Sequence, residues 1–363
     1  MQNWSDCKNI LVIRADNMGD LIMTGPAIRA LKESFQCRIT VLTSSMGKLI
    51  TPFIKDIDDV LVYDLPWIKT KEPVKAEDVE KLVNELKAHR FDAAIIFTVY
   101  SQNPLPAAML SFMAGVPKRL SYCRENPYHL LTDWIPEKEP YTFIQHQVKR
   151  DLQLVESIGA STNNQTLSLT ISRDAVQTAL QKLLDAGVDI DAPMIIFHAG
   201  VSETKREYPT DLWIETGKLI HQKTKHQILL TGAASEKKLA DTIRSGIGSC
   251  AISVAGLLTI EDFIAVIQKA ALVVSVNTGT VHIAAAMQTP VIVLYALTNP
   301  QHTPWHVPSK VLYYSVQQEL KSRNEVVRYV SEEVMQKNIP YPQPETIVSE
   351  AEELLKKEIS FSS

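Results

Sequence analysis

The sequence predicts an α/β protein built from two doubly wound, parallel-sheet domains in series, and three observations carry that prediction. Short apolar runs rich in Val and Ile alternate with amphipathic segments along the chain. The runs lack strict polar alternation, which is the pattern of strands covered on both faces by helices. A polar, turn-rich stretch, "SIGASTNNQTLSLT" (157–170), then separates two such series of similar size.

In the first series the candidate strands are "NILVIR" (9–14), "RITVLT" (38–43), "VLVYDL" (60–65) and "DAAIIFT" (92–98). Between the last two, "EDVEKLVNELKAHR" (77–90) repeats Val79, Leu82, Val83 and Leu86 at helical spacing. The second series opens with a helix, "DAVQTALQKLLDAG" (174–187). Its strands follow as "MIIFHAG" (194–200), "HQILLTG" (226–232), "CAISVAG" (250–256), "AALVVSV" (270–276) and "PVIVLYA" (290–296). A last amphipathic helix, "PETIVSEAEELLKKE" (344–358), carries Ile347, Ala351, Leu354 and Leu355 on one side. The expected domains are therefore residues 1–175, residues 176–343, and a helix in 344–363 returning to the first domain. The polar stretch 315–342 has no pattern that assigns it to an element.

Composition narrows the function. A chain of 363 residues, 45% hydrophobic and with formal charge -4, can bury two ordinary cores and has no nucleic-acid footprint. No run of eighteen or more apolar residues occurs, and the start "MQNWSDCKN" lacks the basic-then-apolar pattern of a signal peptide, so a cytoplasmic protein is expected. Cys7, Cys37, Cys123 and Cys250 lie too far apart for a zinc site or a disulfide scaffold and read as ordinary thiols. The basic cluster "KRLSYCR" (118–124) reads as a solvated loop, with an acceptor or membrane-surface contact as the alternative.

Ligands of open parallel sheets sit outside the carboxyl ends of the strands, so the informative residues are those just after each strand. In the second domain these segments are "HAGVSETKREYP", "TGAASEKK", "AGLLTIED" and "VNTGTVHIAAA". The last turns at Asn277, Thr278 and Gly279 into a helix of small residues, which aims backbone N–H groups and a helix dipole at one spot suited to an anion. Simple capping by Asn277 or Thr278 is the alternative, as is a structural His282 or a solvated Lys205. In the first domain, "VIRADNMGDLIMTGPAIRAL" (12–31) places Asp16 and Asp20 in a strand-to-helix turn. Asp16 reads as a turn former. No G-x-G-x-x-G and no G-x-x-x-x-G-K-[ST] follows any strand, which disfavours a nicotinamide dehydrogenase and a P-loop enzyme.

The segment "ILVIRADNMGDLIMTGPAIRALKESF", with its Gly-Asp pair followed by Thr and Pro, resembles the N-terminal signature of glycosyltransferase family 9, the lipopolysaccharide heptosyltransferases. The likeness continues through "HAG…K…YP", Gly232 to Glu236, "GLLTIEDFIAVIQKAALVVSVNTGTVHIAAAMQTPVIVLYALTNP" and "TPW". It implies the GT-B fold, two Rossmann-like domains facing a central cleft, and inverting, metal-independent transfer of heptose from ADP-heptose. The partners it implies are a nucleotide-sugar donor and a glycan or lipid-linked acceptor of the lipopolysaccharide type. No other cofactor and no nucleic acid are implied, and a monomer touching the inner face of the membrane through its acceptor is expected.

Residue by residue, the resemblance implies that Asp20 is the catalytic base and Lys205 the lysine on the donor phosphate. Glu236 would hold the ribose, and Asn277, Thr278, Gly279 and His282 the diphosphate. Gly200 and Val201 fall where hydroxyl residues are common in the family, and Leu258 where an apolar residue packs by adenine. Asn277 stands where the family usually has Asp, and "TNP" (298–300) replaces the more usual Thr-Asp-Pro, which bears on the identity of the donor sugar. Inverting transfer is a single displacement, so a base must take the acceptor hydroxyl's proton on the face away from the leaving phosphate. A carboxylate at Asp20, near a helix N-terminus, suits that task, and a plain helix cap is its alternative. A GT-B epimerase or transferase using another nucleotide sugar, and a sugar-nucleotide-binding protein without chemistry, are the other readings.

Overall fold

In the first unit the N-terminal apolar run becomes β1 (Asn9–Ile13), with Ile10, Leu11, Val12 and Ile13 all buried. Burial on both faces of a pleated strand needs helices on both sides of the sheet. The chain supplies them in order as α1 (Met18–Phe35), β2 (Arg38–Thr43), α2 (Ser45–Lys48), β3 (Asp59–Val62), α3 (Ala76–His89), β4 (Ala93–Ile96) and α4 (Leu105–Met113). β5 (Lys118–Cys123), β6 (Asp133–Pro136) and α5 (Gln147–Glu156) complete the unit. The sheet order is β3-β2-β1-β4-β5-β6, with every neighbouring pair parallel. Leu11, Leu42, Leu82, Leu86, Ile96 and Leu110 meet in one core between this sheet and α3 and α4. The computed structural model describes residues 3–70, 73–335 and 338–361.

The basic cluster 118–124 is not a solvated loop. It forms β5, an interior strand buried from Arg119 to Cys123. The Arg119 side chain turns back on the chain and donates to the carbonyls of Val116, His129 and Leu130. A charge can be buried when every donor finds a carbonyl, and here the strand's own flanks provide them.

The division between units falls between Ser168 and Leu169. Arg29 of α1 fixes the turn-rich stretch before it to the first unit, donating to the Asn164 and Thr166 carbonyls at 2.8 and 3.0 Å and to Ser168 Oγ at 2.7 Å. The second unit runs α6 (Arg173–Asp185), β7 (Met194–His198), α7 (Thr210–Thr224), β8 (Gln227–Thr231), α8 (Lys237–Ile247), β9 (Ala251–Ser253) and α9 (Ile260–Lys269). It continues with β10 (Leu272–Val276), α10 (Gly279–Ala286), β11 (Val291–Ala296), β12 (Ser309–Tyr314), α11 (Glu325–Tyr329) and α12 (Pro344–Phe361). Its sheet, β12-β11-β10-β7-β8-β9, is again parallel throughout.

The last helix packs on the core of this second unit. Ile347, Val348, Ala351 and Leu354 of α12 enter the core that also holds Trp213 and Ile220 of α7. Lys310 of β12 pairs with Glu350 and Glu353, each at 2.5 Å, on the polar side of the same helix. The stretch from Ser315 onward leaves the sheet and returns: the Ser315 N–H donates to the Ile339 carbonyl at 2.9 Å, and the Ile339 N–H to Ser315 Oγ at 2.8 Å. Tyr208, Tyr314 and Tyr341 pack their rings together beside that closure, and the Tyr208 hydroxyl donates to the Pro342 carbonyl at 2.6 Å.

Candidate functional site

Each sheet reverses its winding once, between β1 and β4 in the first unit and between β7 and β10 in the second. Such switch points leave a crevice at the carboxyl ends of the strands, and the candidate residues lie in the segments that follow those strands.

In the first unit Asn17 caps α1, and Asp20 is the third residue of that helix. Asp20 Oδ2 accepts the Asn17 backbone N–H at 3.3 Å, so it does serve as a helix cap. It does more, because Oδ1 also receives Arg14 Nη2 at 3.0 Å. Arg14 is fully buried, and its Nε lies 3.4 Å from Asp16. Burial opposes the Arg14 charge, but Asp16, Asp20 and Asp151 together outweigh it and raise the guanidinium's pKa. Asp16 is therefore part of this cluster as well as of the turn. Burial raises its pKa against the pull of Arg14, and Gln102 Nε2 donates to it at 2.5 Å. Asp151 of α5 completes the group, receiving Thr24 Oγ1 at 2.8 Å and Gln147 Nε2 at 2.7 Å.

Sequence reasoning passed over Arg14, Thr24 and Asp151. A signal existed for Asp151, since Val148, Asp151, Leu154 and Val155 form one helical stripe and all are buried. An acid within an apolar stripe is a partner waiting to be identified.

In the second unit Gly200 and Glu236 are brought together. A Cβ built on Gly200 would lie 2.1 Å from the Glu236 carboxyl carbon, so the glycine is the space in which that carboxylate sits. Glu236 Oε2 also accepts the Ala233 N–H at 2.7 Å, which fixes the acid at the end of β8. Val201 is half-buried against the unit's core. Leu258 is half-buried in the loop after the edge strand β9.

Lys205 lies in a single helical turn, Thr204–Arg206, with its Nζ 3.3 Å from Glu203 Oε2. The neighbouring Arg206, which the sequence reading did not select, reaches the same carboxylate at 3.2 Å and donates to the Asn277 carbonyl at 3.1 Å. That bond ties the loop after β7 to the turn after β10, across the switch point. The Asn277 side chain is buried and turned toward β11: it accepts the Ala296 N–H at 3.2 Å and donates to the Ala296 carbonyl at 3.3 Å and to Thr298 Oγ1 at 3.1 Å. An aspartate at 277 could accept the Ala296 N–H but could not donate to the Ala296 carbonyl or to Thr298.

Thr278 holds the cap position of α10 in extended geometry, with no side-chain cap on the helix. The Thr278 hydroxyl therefore leaves the first amides of α10 open, which is the arrangement that suits a phosphate. His282 is buried on the first turn of that helix, edge-on to His302 with ring centroids 6.2 Å apart.

Residues 79–334 match the model of glycosyltransferase family 9 (heptosyltransferase). Lipopolysaccharide heptosyltransferase 1 of Pseudomonas aeruginosa is 27% identical over 319 residues, covering 83% of this chain and 82% of that protein. Lipopolysaccharide heptosyltransferase 2 of Escherichia coli (strain K12) is 22% identical over 307 residues, covering 81% and 84%. Among solved structures, a family 9 glycosyl transferase from Veillonella parvula superposes with a TM-score of 0.79 at 16% identity, covering 98% of this chain and 99% of that one. Escherichia coli ADP-heptose lps heptosyltransferase II gives 0.72 at 20% identity, covering 96% and 99%. Two doubly wound parallel-sheet units of this kind are the GT-B fold. Within that class, the chain belongs to glycosyltransferase family 9.

Proposed function

We propose that this enzyme transfers heptose from ADP-heptose, with inversion and without a metal ion, to a lipid-linked acceptor of the lipopolysaccharide type at the cytoplasmic face of the membrane. The observation that carries the reading is the α10 N-terminus that Thr278 leaves uncapped, with Arg206 bonded to the Asn277 carbonyl and Lys205 on the same turn, the two cations sharing Glu203 and keeping a net positive charge for a phosphate. Glu236, seated over Gly200, would accept the ribose hydroxyls, and Leu258 would lie by the adenine. The names of the relatives support heptose and lipopolysaccharide as substrates.

In the transfer, Asp20 takes the proton of the acceptor hydroxyl as its oxygen bonds to the anomeric carbon, and the bond from that carbon to the diphosphate oxygen breaks. ADP leaves with the electron pair. Lys205 and the α10 amides meet the negative charge that grows on the phosphate, which is where fixed positive charge lowers a barrier most. A different donor sugar is the second reading, and the Asn277 arrangement favours it, because a neutral amide replaces the family's acid.

Calorimetry with ADP, AMP and adenosine, followed by ADP release from ADP-heptose and other ADP-sugars with heptose-deficient lipopolysaccharide, tests both readings. ADP should bind more tightly than AMP or adenosine, and ADP release should require both ADP-heptose and the acceptor. Equal affinity for ADP and adenosine would remove the phosphate assignment. Release from another ADP-sugar alone would select the second reading.

A further inference from the structure

We propose that Asp151, on α5, is a positioning residue that keeps Asp20 able to take a proton by sharing Arg14 with it. The proposal rests on the assignment of Asp20 as the base. A carboxylate paired one-to-one with a buried guanidinium is a poor base, because protonating it strands the positive charge. Arg14 is not paired one-to-one. It faces Asp20 at 3.0 Å and Asp16 at 3.4 Å, and Asp151 lies close enough for its charge to act on the same guanidinium. When Asp20 takes a proton, Arg14 still has Asp16 at 3.4 Å and feels the charge of Asp151, which Thr24 ties to the Asp20 backbone.

The other charged groups around α5 do not cancel this surplus. Arg150, the neighbouring cation, is held by Glu139 Oε2 at 2.8 Å and by both carboxylate oxygens of Glu137, so its charge is largely taken up by those acids. Tyr122 of β5 lies under the Arg150 guanidinium and donates its hydroxyl to the Arg150 carbonyl at 3.3 Å. Around the two arginines there are thus five carboxylates, Asp16, Asp20, Asp151, Glu137 and Glu139.

Asp151 is also tied to the helix that carries the base. Thr24 Oγ1 lies 2.8 Å from Asp151 Oδ2 and 3.0 Å from the Asp20 carbonyl oxygen, so one hydroxyl touches both residues. Gln147 holds the other Asp151 oxygen at 2.7 Å and reaches the Thr98 carbonyl at 3.2 Å. Burial pushes the Asp151 carboxyl up to about 6, against the pull of Arg14. It therefore gains its charge as the pH rises through about 6, which adds a negative charge to the cluster that holds Asp20.

The experiment is a pH titration of the full chain labelled with [4-13C]aspartate, with the Asp20 and Asp151 resonances assigned by Asp20→Asn and Asp151→Asn. In the unaltered protein the Asp20 resonance should show an extra inflection near pH 6, where Asp151 ionises. Asp151→Asn should abolish that inflection and slow ADP release at pH 8 by about three- to tenfold, with the Kd for ADP within about twofold. The amide can still accept from Gln147 and donate to Thr24, so a merely structural Asp151 would leave both readouts unchanged. An Asp20 resonance that titrates identically in Asp151→Asn overturns the proposal. Asp20→Ala tests the underlying assignment separately: near-normal turnover in that variant would remove the base, whatever the titration shows.

Discussion

The turn from β1 into α1 and the turn from β10 into α10 have the same backbone plan and opposite chemistry. Each takes a strand at a switch point into a helix N-terminus, where unbonded amides and the helix dipole attract negative charge. In the first turn the protein supplies that charge itself, because Asp20 caps the Asn17 amide and a buried arginine is needed to hold the surrounding acids. In the second the Thr278 side chain does not cap α10, and the nearby Lys205 and Arg206 share one acid, Glu203, which leaves a net positive charge. The difference teaches that an occupied helix N-terminus can present a base, whereas an unoccupied one is left for an incoming anion.

The largest expected effect breaks the first half of the comparison. Asp20→Ala should cut turnover by about 10²–10⁴-fold, the usual worth of a positioned general base, and leave ADP affinity unchanged. Turnover near that of the unaltered enzyme would reduce Asp20 to a helix cap.

Lys205→Ala attacks the second half. Losing one fixed charge from the leaving diphosphate should slow turnover by about 10²-fold and weaken ADP binding by a smaller factor, since the charge it meets grows along the reaction. If adenosine binding weakened as much as ADP binding, the lysine would be acting on the fold of the loop and not on phosphate.

Two smaller changes sharpen how the second turn is held. Gly200→Ala places a methyl group where the Glu236 carboxylate now sits, so it should displace that acid and lower ADP and adenosine affinity alike, by about tenfold. Asn277→Asp restores the family's acid but removes the donor to Ala296 and Thr298 and sets a carboxylate against a carbonyl. It should destabilise the second unit by about 1–3 kcal/mol, read as a lower melting temperature. An unchanged or higher melting temperature would show that the β10 turn does not depend on the amide.

Much of this was legible in the residues. Both parallel sheets followed from apolar runs without alternation, and the edge positions of Asp20, Lys205, Glu236 and Asn277 followed from where those runs stop. The strands that escaped notice start or end in polar residues: β5 begins with Lys118 and Arg119, β6 with Asp133, and β12 with Ser309 and Lys310. Arg119 is satisfied by the flanks of its own strand, but Asp133 is met by a partner distant in sequence, accepting the Trp4 indole N–H at 3.2 Å. The Arg14 cluster was hidden for the same reason, because Asp151 lies 127 residues from the Thr24 hydroxyl that holds it. No local pattern announces such a pairing. For the final helix, the amphipathic stripe shows that it packs, and not which core it packs on.

The smallest expected effect concerns the charge surplus of the first turn and is read as stability against pH. The Asp151 carboxyl is pushed up to about 6 in the folded chain, from an ordinary value of 3.8. For an acid raised on folding, the protonated form is the one the fold favours, so ionisation costs stability. That cost is absent below about pH 4, grows as the pH rises through the interval between the two values, and is complete above about pH 6. A shift of this size corresponds to roughly 2–3 kcal/mol, and sharing of charge within the cluster should reduce the measured figure to about 1–2 kcal/mol. Asp151→Asn does not titrate, so the stability of the variant minus that of the unaltered enzyme should increase between pH 4.5 and pH 8. The cluster around Arg14 would then carry more negative charge than its arginine can balance, as a working base beside a guanidinium requires. A difference that stays flat, or that falls as the pH rises, would mean that Arg14 stabilises the ionised Asp151 fully, and the first turn would be a neutral cap like many others.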